Sequence, residues 1–129
     1  MSKIDLSTSP VHLGRTFSVL ENFGFDGPAF ESYIAEHCSD DEPGYIMMIE
    51  TTPEDWTSWE CHPAGYEIVH VLEGQGTFYQ QVNGNEVATA FEPGTTLVNA
   101  PGMWHTADVE VPMKALYITA APGTHHKMR

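Results

Sequence analysis

The sequence has little positive charge. Its 129 residues include five Lys and Arg against 18 Asp and Glu, which gives a net charge of −13. Neutralising nucleic-acid phosphates requires clustered Lys and Arg, so this composition argues against a nucleic-acid partner. The same charge disfavours binding to an anionic membrane surface.

Long apolar runs and abundant cysteine are also missing. No segment has the apolar length needed to cross a bilayer, and residues 1–6 lack the apolar core of a secretory signal. The only cysteines are Cys38 and Cys61. Without an export signal we expect both thiols to be reduced and the location to be cytoplasmic.

The residues that are present predict one all-β domain with a short helix near its start. Hydrophobic residues make up 41% of the chain, as in ordinary globular proteins. An N-terminal extension, residues 1–43, contains a predicted helix at 29–37 that follows Asp26-Gly27-Pro28 and packs on the remainder, residues 44–129.

In that remainder, short strands alternate with turn residues, a pattern typical of a β-sandwich or small β-barrel. The Asn83-Gly84 pair predicts a hairpin, and turns are also predicted at Gly74-Gln75-Gly76 and Glu92-Pro93-Gly94. The predicted strands are 45–51, 56–62, 67–72, 77–82, 86–91, 95–99, 104–109 and 114–119.

Two segments of this region carry the residue types of a metal site at regular spacing. In the first, four residues separate His62 from Glu67, and six separate Glu67 from Gly74. The second places Gly102 and His105 after Gly94. Imidazole and carboxylate together suit Fe(II), Mn(II), Ni(II) or Zn(II).

Taken in order, these segments resemble the two motifs of the cupin superfamily, and the likeness extends over roughly residues 44–121. It implies a jelly-roll β-barrel that holds a divalent metal ion on His62, Glu67 and His105. Glu60 stands where the first motif usually has a histidine, which makes it a candidate fourth ligand. The other departures from the motifs are Glu54 for a glycine, Ala100 for a proline that lies one residue later at Pro101, and Val109 for an asparagine.

Strand alternation predicts which side chains face the interior. Glu60 and His62 point to one side and Cys61 to the other, so Cys61 cannot form a dyad with His62 and is expected to be a packed, inert thiol. Glu67 inside the barrel shares its face with Val69 and Val71. A carboxylate and an imidazole in such an interior need partners, which a divalent cation supplies. The alternative is an empty polar pocket in which His62 and Glu67 bond to each other.

Other residues are assigned by their ordinary roles. Glu60 and Tyr117 are the candidate catalytic groups, as a general base and as an acid/base group, with Tyr45 a second choice for the latter. His125-His126 are expected to be surface histidines rather than ligands. Three tryptophans either rim the pocket or pack in the core: Trp56, Trp59 and Trp104.

Three functions are compatible with these features. The first is a metal-dependent enzyme of the dioxygenase, isomerase or lyase type, acting on a small polar, carboxylate or hydroxy-ketone substrate. The second is a non-catalytic module that binds a small ligand or sugar without metal, and the third is a structural protein with a filled barrel. A homodimer is also expected, through an outward apolar stripe at Ile68, His70 and Leu72, unless the N-terminal helix covers that stripe.

Overall fold

A computed structural model of the chain describes residues 3–14, 19–21, 26–39 and 42–129. It contains one α-helix and nine strands in the described part, and the helix starts at Gly27 because Pro28 suits a first turn. In chain order the elements are β1 Val11–Leu13, β2 Val19–Glu21, α1 Gly27–His37, β3 Tyr45–Thr52, β4 Ser58–Cys61, β5 Glu67–Val82, β6 Asn85–Phe91, β7 Thr96–Asn99, β8 His105–Ala120 and β9 His125–Met128.

Two long antiparallel strands, β5 and β8, organise the molecule. They pair from Glu67 opposite Thr119 to Gln80 opposite His105. The first half of β5 also pairs with β7 and its second half with β6, while the second half of β8 pairs with β3 and its start meets β4. Each long strand therefore contributes to a first sheet (β2-β1-β3-β8-β5-β7) and to a second sheet (β9-β4-β8-β5-β6). The predicted all-β jelly-roll barrel is confirmed.

The predicted turn at Gly74-Gln75-Gly76 is wrong, because β5 runs through it without reversing. The pairing with β8 changes register there, which marks an irregular, bulged stretch where the strand passes from one sheet to the other. Gly74 has φ +101°, and a Cβ added to it would lie 2.4 Å from the main-chain oxygen of Pro112. These glycines permit a close approach of two strands, not a chain reversal.

Other element predictions agree in part. The helix and the hairpin are confirmed, and Asn83 and Gly84 both have the positive φ that a tight hairpin turn needs, 51° and 78°. The predicted strands 104–109 and 114–119 are one strand, β8, and β4 is shorter than predicted. Three strands were not predicted at all: β1, β2 and β9.

The N-terminal residues are joined to the barrel by pairing and by packing. Strand β1 pairs with β3, and the buried Tyr33 of α1 packs with Ile46 and Ala121. The division of the chain at residue 43 stays a prediction. Residues 40 and 41, in a predicted acidic turn, lie outside the described residues. The described part of the chain includes no helix that could cross a membrane.

The core lies between the two sheets, and the outer face of the first sheet is open. The inward pattern at Val69 and Val71 is as predicted, since both are fully buried. Ile68 and Leu72 each remain 39% exposed, so α1 does not cover the outward stripe. The main buried cluster consists of Val69, Val71, Phe78, Phe91, Leu97, Ala107, Met113, Ala115 and Tyr117.

We predict that Gly74→Ala destabilises the protein by more than about 3 kcal/mol, because the new methyl group meets the backbone of β8 at a positive φ. Gly84→Ala is the matched control: its φ is also positive, but nothing lies within 4 Å of an added Cβ, so it should cost about 1 kcal/mol. Chemical denaturation measures both. Equal losses in the two variants would contradict the close-approach role of Gly74.

Candidate metal centre

The barrel brings four site residues from separate strands to one place. Glu60 and His62 come from β4 and the residue after it, and Glu60 pairs directly with His105 at the start of β8 in the second sheet. Glu67 begins β5 in the first sheet, opposite Thr119. The side chains of both sheets face the same interior, so residues distant in sequence meet between them.

Glu67 is the centre of the group. One of its oxygens lies 3.1 Å from Nε2 of His62, and the other lies 3.2 Å from Nε2 of His105. The two histidine rings are 5.2 Å apart between centroids. Glu67 is only 2% exposed, and both histidines are buried as well. A carboxylate and two imidazoles, all buried, thus converge at one place.

The hydrogen bond of His105 indicates that a proton or a metal ion lies between its Nε2 and the Glu67 carboxylate. Its Nδ1 donates a hydrogen bond to the main-chain oxygen of Met103, 3.0 Å away, because a carbonyl can only accept. In neutral His105 the lone pair is therefore on Nε2, facing a carboxylate oxygen. Two acceptors at that distance repel unless a proton or a metal ion lies with them.

The Nε2 atoms of His62 and His105 have no hydrogen-bond partner among the described residues. Neither Nε2 of His62 nor Nε2 of His105 forms a hydrogen bond, although both atoms are buried. Ligand atoms held at about 2.1 Å from a metal ion lie about 3.0 to 3.4 Å from one another, which matches the distances to Glu67. The residues therefore fit a divalent metal ion.

Glu60 lies farther out than the other three. Its Oε2 is 3.9 Å from Nε2 of His62 and 4.0 Å from Nε2 of His105. Ligand atoms of Glu60, His62 and His105 all lie within 4.8 Å of one another, so this trio can also hold an ion. The other carboxylate oxygen of Glu60, Oε1, contacts Nε2 of His126 at 3.0 Å.

A hydrogen-bond network holds the Glu67 carboxylate in position. Asn99 on β7 donates to Oε1 at 3.0 Å, and the Thr119 hydroxyl donates to Oε2 at 2.7 Å. Gln80 in turn donates to the Asn99 side-chain oxygen at 2.7 Å, which orients the Asn99 amide toward Glu67. Outer partners of this kind orient metal ligands.

The charges in the site are coupled. Burial alone would raise the pKa of Glu67, but the imidazoles of His105 and His62 outweigh burial and hold that pKa far below its usual range. Burial alone would lower the pKa of His105, but the adjacent Glu67 outweighs it and raises that pKa. Glu67 is therefore held as a carboxylate, and its charge favours the protonated form of His105.

A cavity of about 310 Å³ opens onto this group. Its walls include Glu60, His62, Glu67 and Tyr117, and Trp56 stands edge-on to His105 with ring centroids 6.2 Å apart. The barrel is therefore not filled by side chains, which is contrary to the third function considered from the sequence.

The candidate catalytic tyrosine lines this cavity. Tyr117 is buried, and its hydroxyl has no hydrogen-bond partner among the described residues. Burial, with the negative charge of Glu67, raises its pKa well above the usual range, so the phenol is protonated at neutral pH. Tyr45, the second choice, is not on the cavity wall.

The structure also places the cysteine, the tryptophans and the C-terminal histidine that were named from the sequence. Cys61 is buried and unpaired, and burial raises the pKa of its thiol, as expected of an inert cysteine. Among the tryptophans, Trp56 lines the cavity, whereas Trp59 and Trp104 lie near the ammonium group of Lys127. His126 is 55% exposed, as expected of a surface histidine, but it also contacts Glu60 and lines the cavity.

Sequence reasoning missed the residues that support the site. They lie outside the two motif segments or are ordinary polar residues of a strand, and only the alternation of Leu97 and Asn99 hinted that Asn99 faces inward. His62 has such a partner as well, since its Nδ1 lies 2.9 Å from the Thr124 hydroxyl. The missed residues are Gln80, Asn99, Thr119 and Thr124, and the contact between His126 and Glu60 was not predicted either.

Comparisons with known proteins show the fold. No protein-family model matches the chain, and no curated protein matches it significantly. Among solved structures, it is similar to oxalate decarboxylase from Bacillus subtilis at 15% identity and TM-score 0.55, over 65% of this chain and 23% of that one. An uncharacterised protein with a double-stranded β-helix domain from Klebsiella pneumoniae gives 20% identity and TM-score 0.53, over 66% and 76%.

A third similar structure is hydroxypropylphosphonic acid epoxidase from S. wedmorenis, with 15% identity and TM-score 0.50 over 58% of this chain and 42% of that one. That epoxidase has been solved in Fe(II) and Co(II) forms. The chain thus spans less than half the length of the epoxidase and about a quarter of the decarboxylase. At these identities the comparisons establish the fold: the chain is a double-stranded β-helix of the cupin type.

We predict that Asn99→Ala lowers the free energy of unfolding by about 1 to 3 kcal/mol, because it leaves a buried Glu67 oxygen with one donor fewer. Thr96→Ala on the same strand removes an exposed hydrogen bond to His70 and should change stability by less than about 0.5 kcal/mol. Urea unfolding followed by circular dichroism measures both. A negligible loss in Asn99→Ala would show that the network does not support Glu67.

Proposed function

We propose that this protein is a metal-dependent enzyme of the cupin fold that acts on a small polar substrate. The observation that carries the proposal is the pair of buried, otherwise unsatisfied Nε2 atoms of His62 and His105, both directed at Glu67. His62, Glu67 and His105 would hold the ion, and Glu60 is the candidate fourth ligand. The donor set suits Fe(II), Mn(II), Ni(II) or Zn(II).

The bound ion would supply Lewis-acid chemistry, polarising a substrate hydroxyl or carbonyl oxygen. The chain supplies the groups that move protons. Glu60 is half-buried and lines the cavity. Among the described residues it forms no ion pair with a lysine or an arginine, so its carboxylate is available to accept a proton from the substrate. Tyr117 stays protonated and can donate a hydrogen bond to a substrate oxygen.

A candidate base and a candidate acid that line the same cavity, Glu60 and Tyr117, favour proton-transfer chemistry, as in an isomerase or lyase, over a dioxygenase. The names of two similar structures refer to acids, oxalate and hydroxypropylphosphonic acid. Those substrates are not carried over to this chain, because fold likeness at such identity does not extend to the site. We also propose a reducing compartment, the cytoplasm, as the location, since Cys38 and Cys61 are both free thiols.

The proposal is tested by the metal content of His105→Ala. Protein purified without a chelator or an affinity tag should contain about one ion per chain by mass spectrometry of the metals, and His105→Ala should contain almost none, because it removes a buried ligand. His70→Ala, on the outer face of the same barrel, is the control and should keep its metal.

Two results would contradict the proposal. One is wild-type protein without metal even after incubation with Fe(II), Mn(II), Ni(II) and Zn(II), which would favour the non-catalytic ligand-binding alternative. The other is a His105→Ala variant that folds, as judged by near-ultraviolet circular dichroism, and retains the ion.

We further propose that the protein is a homodimer through the outer face of its first sheet. Val98 of β7 is 52% exposed and pairs with Ile68, which also pairs with Ile118. Together with Leu72 these residues form an apolar surface, and its exposure to water in a monomer is unfavourable.

Ile68→Lys should convert the dimer to a monomer, because two lysines would be buried at a two-fold interface. Val87→Lys, at a 43% exposed position on β6 of the other sheet, should leave the dimer intact. Light scattering coupled to size-exclusion chromatography measures the mass of each. A monomeric wild-type protein would refute this interface.

A further inference from the structure

The wall of the cavity has one sign of charge. Its described lining residues include three carboxylates, Glu50, Glu60 and Glu67, and neither lysine nor arginine. Outside it, Glu54 and Asp55 line a shallower depression that shares Trp56 and Glu60 with the cavity. A concentration of like charge at a cavity mouth draws cations and repels anions.

Glu50 is the carboxylate that the metal site does not use. It follows Ile46 and Met48 along β3 at alternate positions, so all three side chains face the cavity. The described residues provide no ion-pair partner for it. Glu50 is exposed where it lines the cavity, and its pKa is raised by partial desolvation and then by the negative charges of Glu60 and Glu67.

A second feature of the cavity wall favours a polar ligand. The Tyr117 side chain, next to Met48 in the sheet, is only 5% exposed, and its hydroxyl on the cavity wall has no hydrogen-bond partner. A buried hydroxyl without a partner carries a cost that a ligand oxygen would remove. Tyr117 is not a member of the acidic cluster, so this evidence does not depend on the charges.

We propose that the substrate is a small organic cation that carries both an ammonium group and an oxygen function, such as an amino alcohol or amino ketone. This rests on the proposed function, because the substrate oxygen would face the metal site and Tyr117. The ammonium group would lie among Glu50, Glu60 and the indole of Trp56. An aromatic face with carboxylates around it is a favourable environment for an ammonium ion.

The charge balance supports a cation over the carboxylate class named from the sequence. A divalent ion offsets two of the three carboxylates and leaves one negative charge on the wall. An anionic substrate would add a second like charge in a partly buried site, whereas an ammonium group would neutralise the first. The cavity lining also includes the apolar side chains of Phe30 and Ile46, beside which a short hydrocarbon part can pack.

Three probes of one carbon skeleton test the charge preference: 3-amino-1,2-propanediol, glycerol and glycerate, titrated into the metal-loaded protein by calorimetry. We expect the aminodiol to bind tightest and glycerate weakest. Glu50→Gln should weaken the aminodiol about three- to tenfold and leave glycerol unchanged. Glu86→Gln, an exposed glutamate on β6 away from the cavity, should change neither.

The proposal is overturned if glycerate binds at least as well as the aminodiol, if Glu50→Gln leaves the aminodiol affinity unchanged, or if none of the three probes binds. Metal content is measured on the same samples. Loss of metal contradicts the proposed function, and the titrations are then repeated on metal-free protein. There Glu50 and Glu60 still give the wall a negative charge, and the same order of affinities is expected.

Discussion

The structure of this site depends on the burial of one carboxylate, Glu67, between two imidazoles. Removing such a group from water costs several kcal/mol unless its charge is compensated and its lone pairs are satisfied. Here Asn99 and Thr119 supply neutral donors, and His62 and His105 supply groups that bind a proton or a metal ion. The remaining polar contacts of the interior, such as Gln80 with Asn99, serve to orient these partners.

The two long strands make this arrangement possible. Because β5 and β8 each belong to both sheets, the start of β5 and the start of β8 lie on opposite walls of one interior. The irregular stretch at Gly74 is what allows β5 to leave one sheet and enter the other. A catalytic or binding group in this barrel is therefore positioned by rigid strands rather than by loops, which favours fixed geometry.

The fold is shared with proteins that have different activities, so the individuality of this chain lies in its side chains. Glu60, at the position where the similar cupin motif usually has a histidine, lies next to the candidate ligands, and Glu50 lines the same cavity. This makes the cavity acidic with no lysine or arginine on its described wall. Glu60, the residue that departs from that motif, is thus also one of the carboxylates on which the proposed preference for a cation rests.

The sequence by itself determined features that depend on local chemistry. The resemblance to the two cupin motifs predicted that His62, Glu67 and His105 converge, and the structure brings them together. Strand alternation likewise placed Val69 inward and Ile68 outward. Only the tertiary structure decided that Gly74 marks a close approach instead of a turn, that Asn99 and Thr119 hold Glu67, and that His126 on a ninth strand reaches Glu60. The reason is that strand pairing and register are set by contacts between distant segments. A glycine looks the same in the sequence whether it forms a turn or lets two strands approach, and an asparagine looks the same whether it faces solvent or a buried carboxylate.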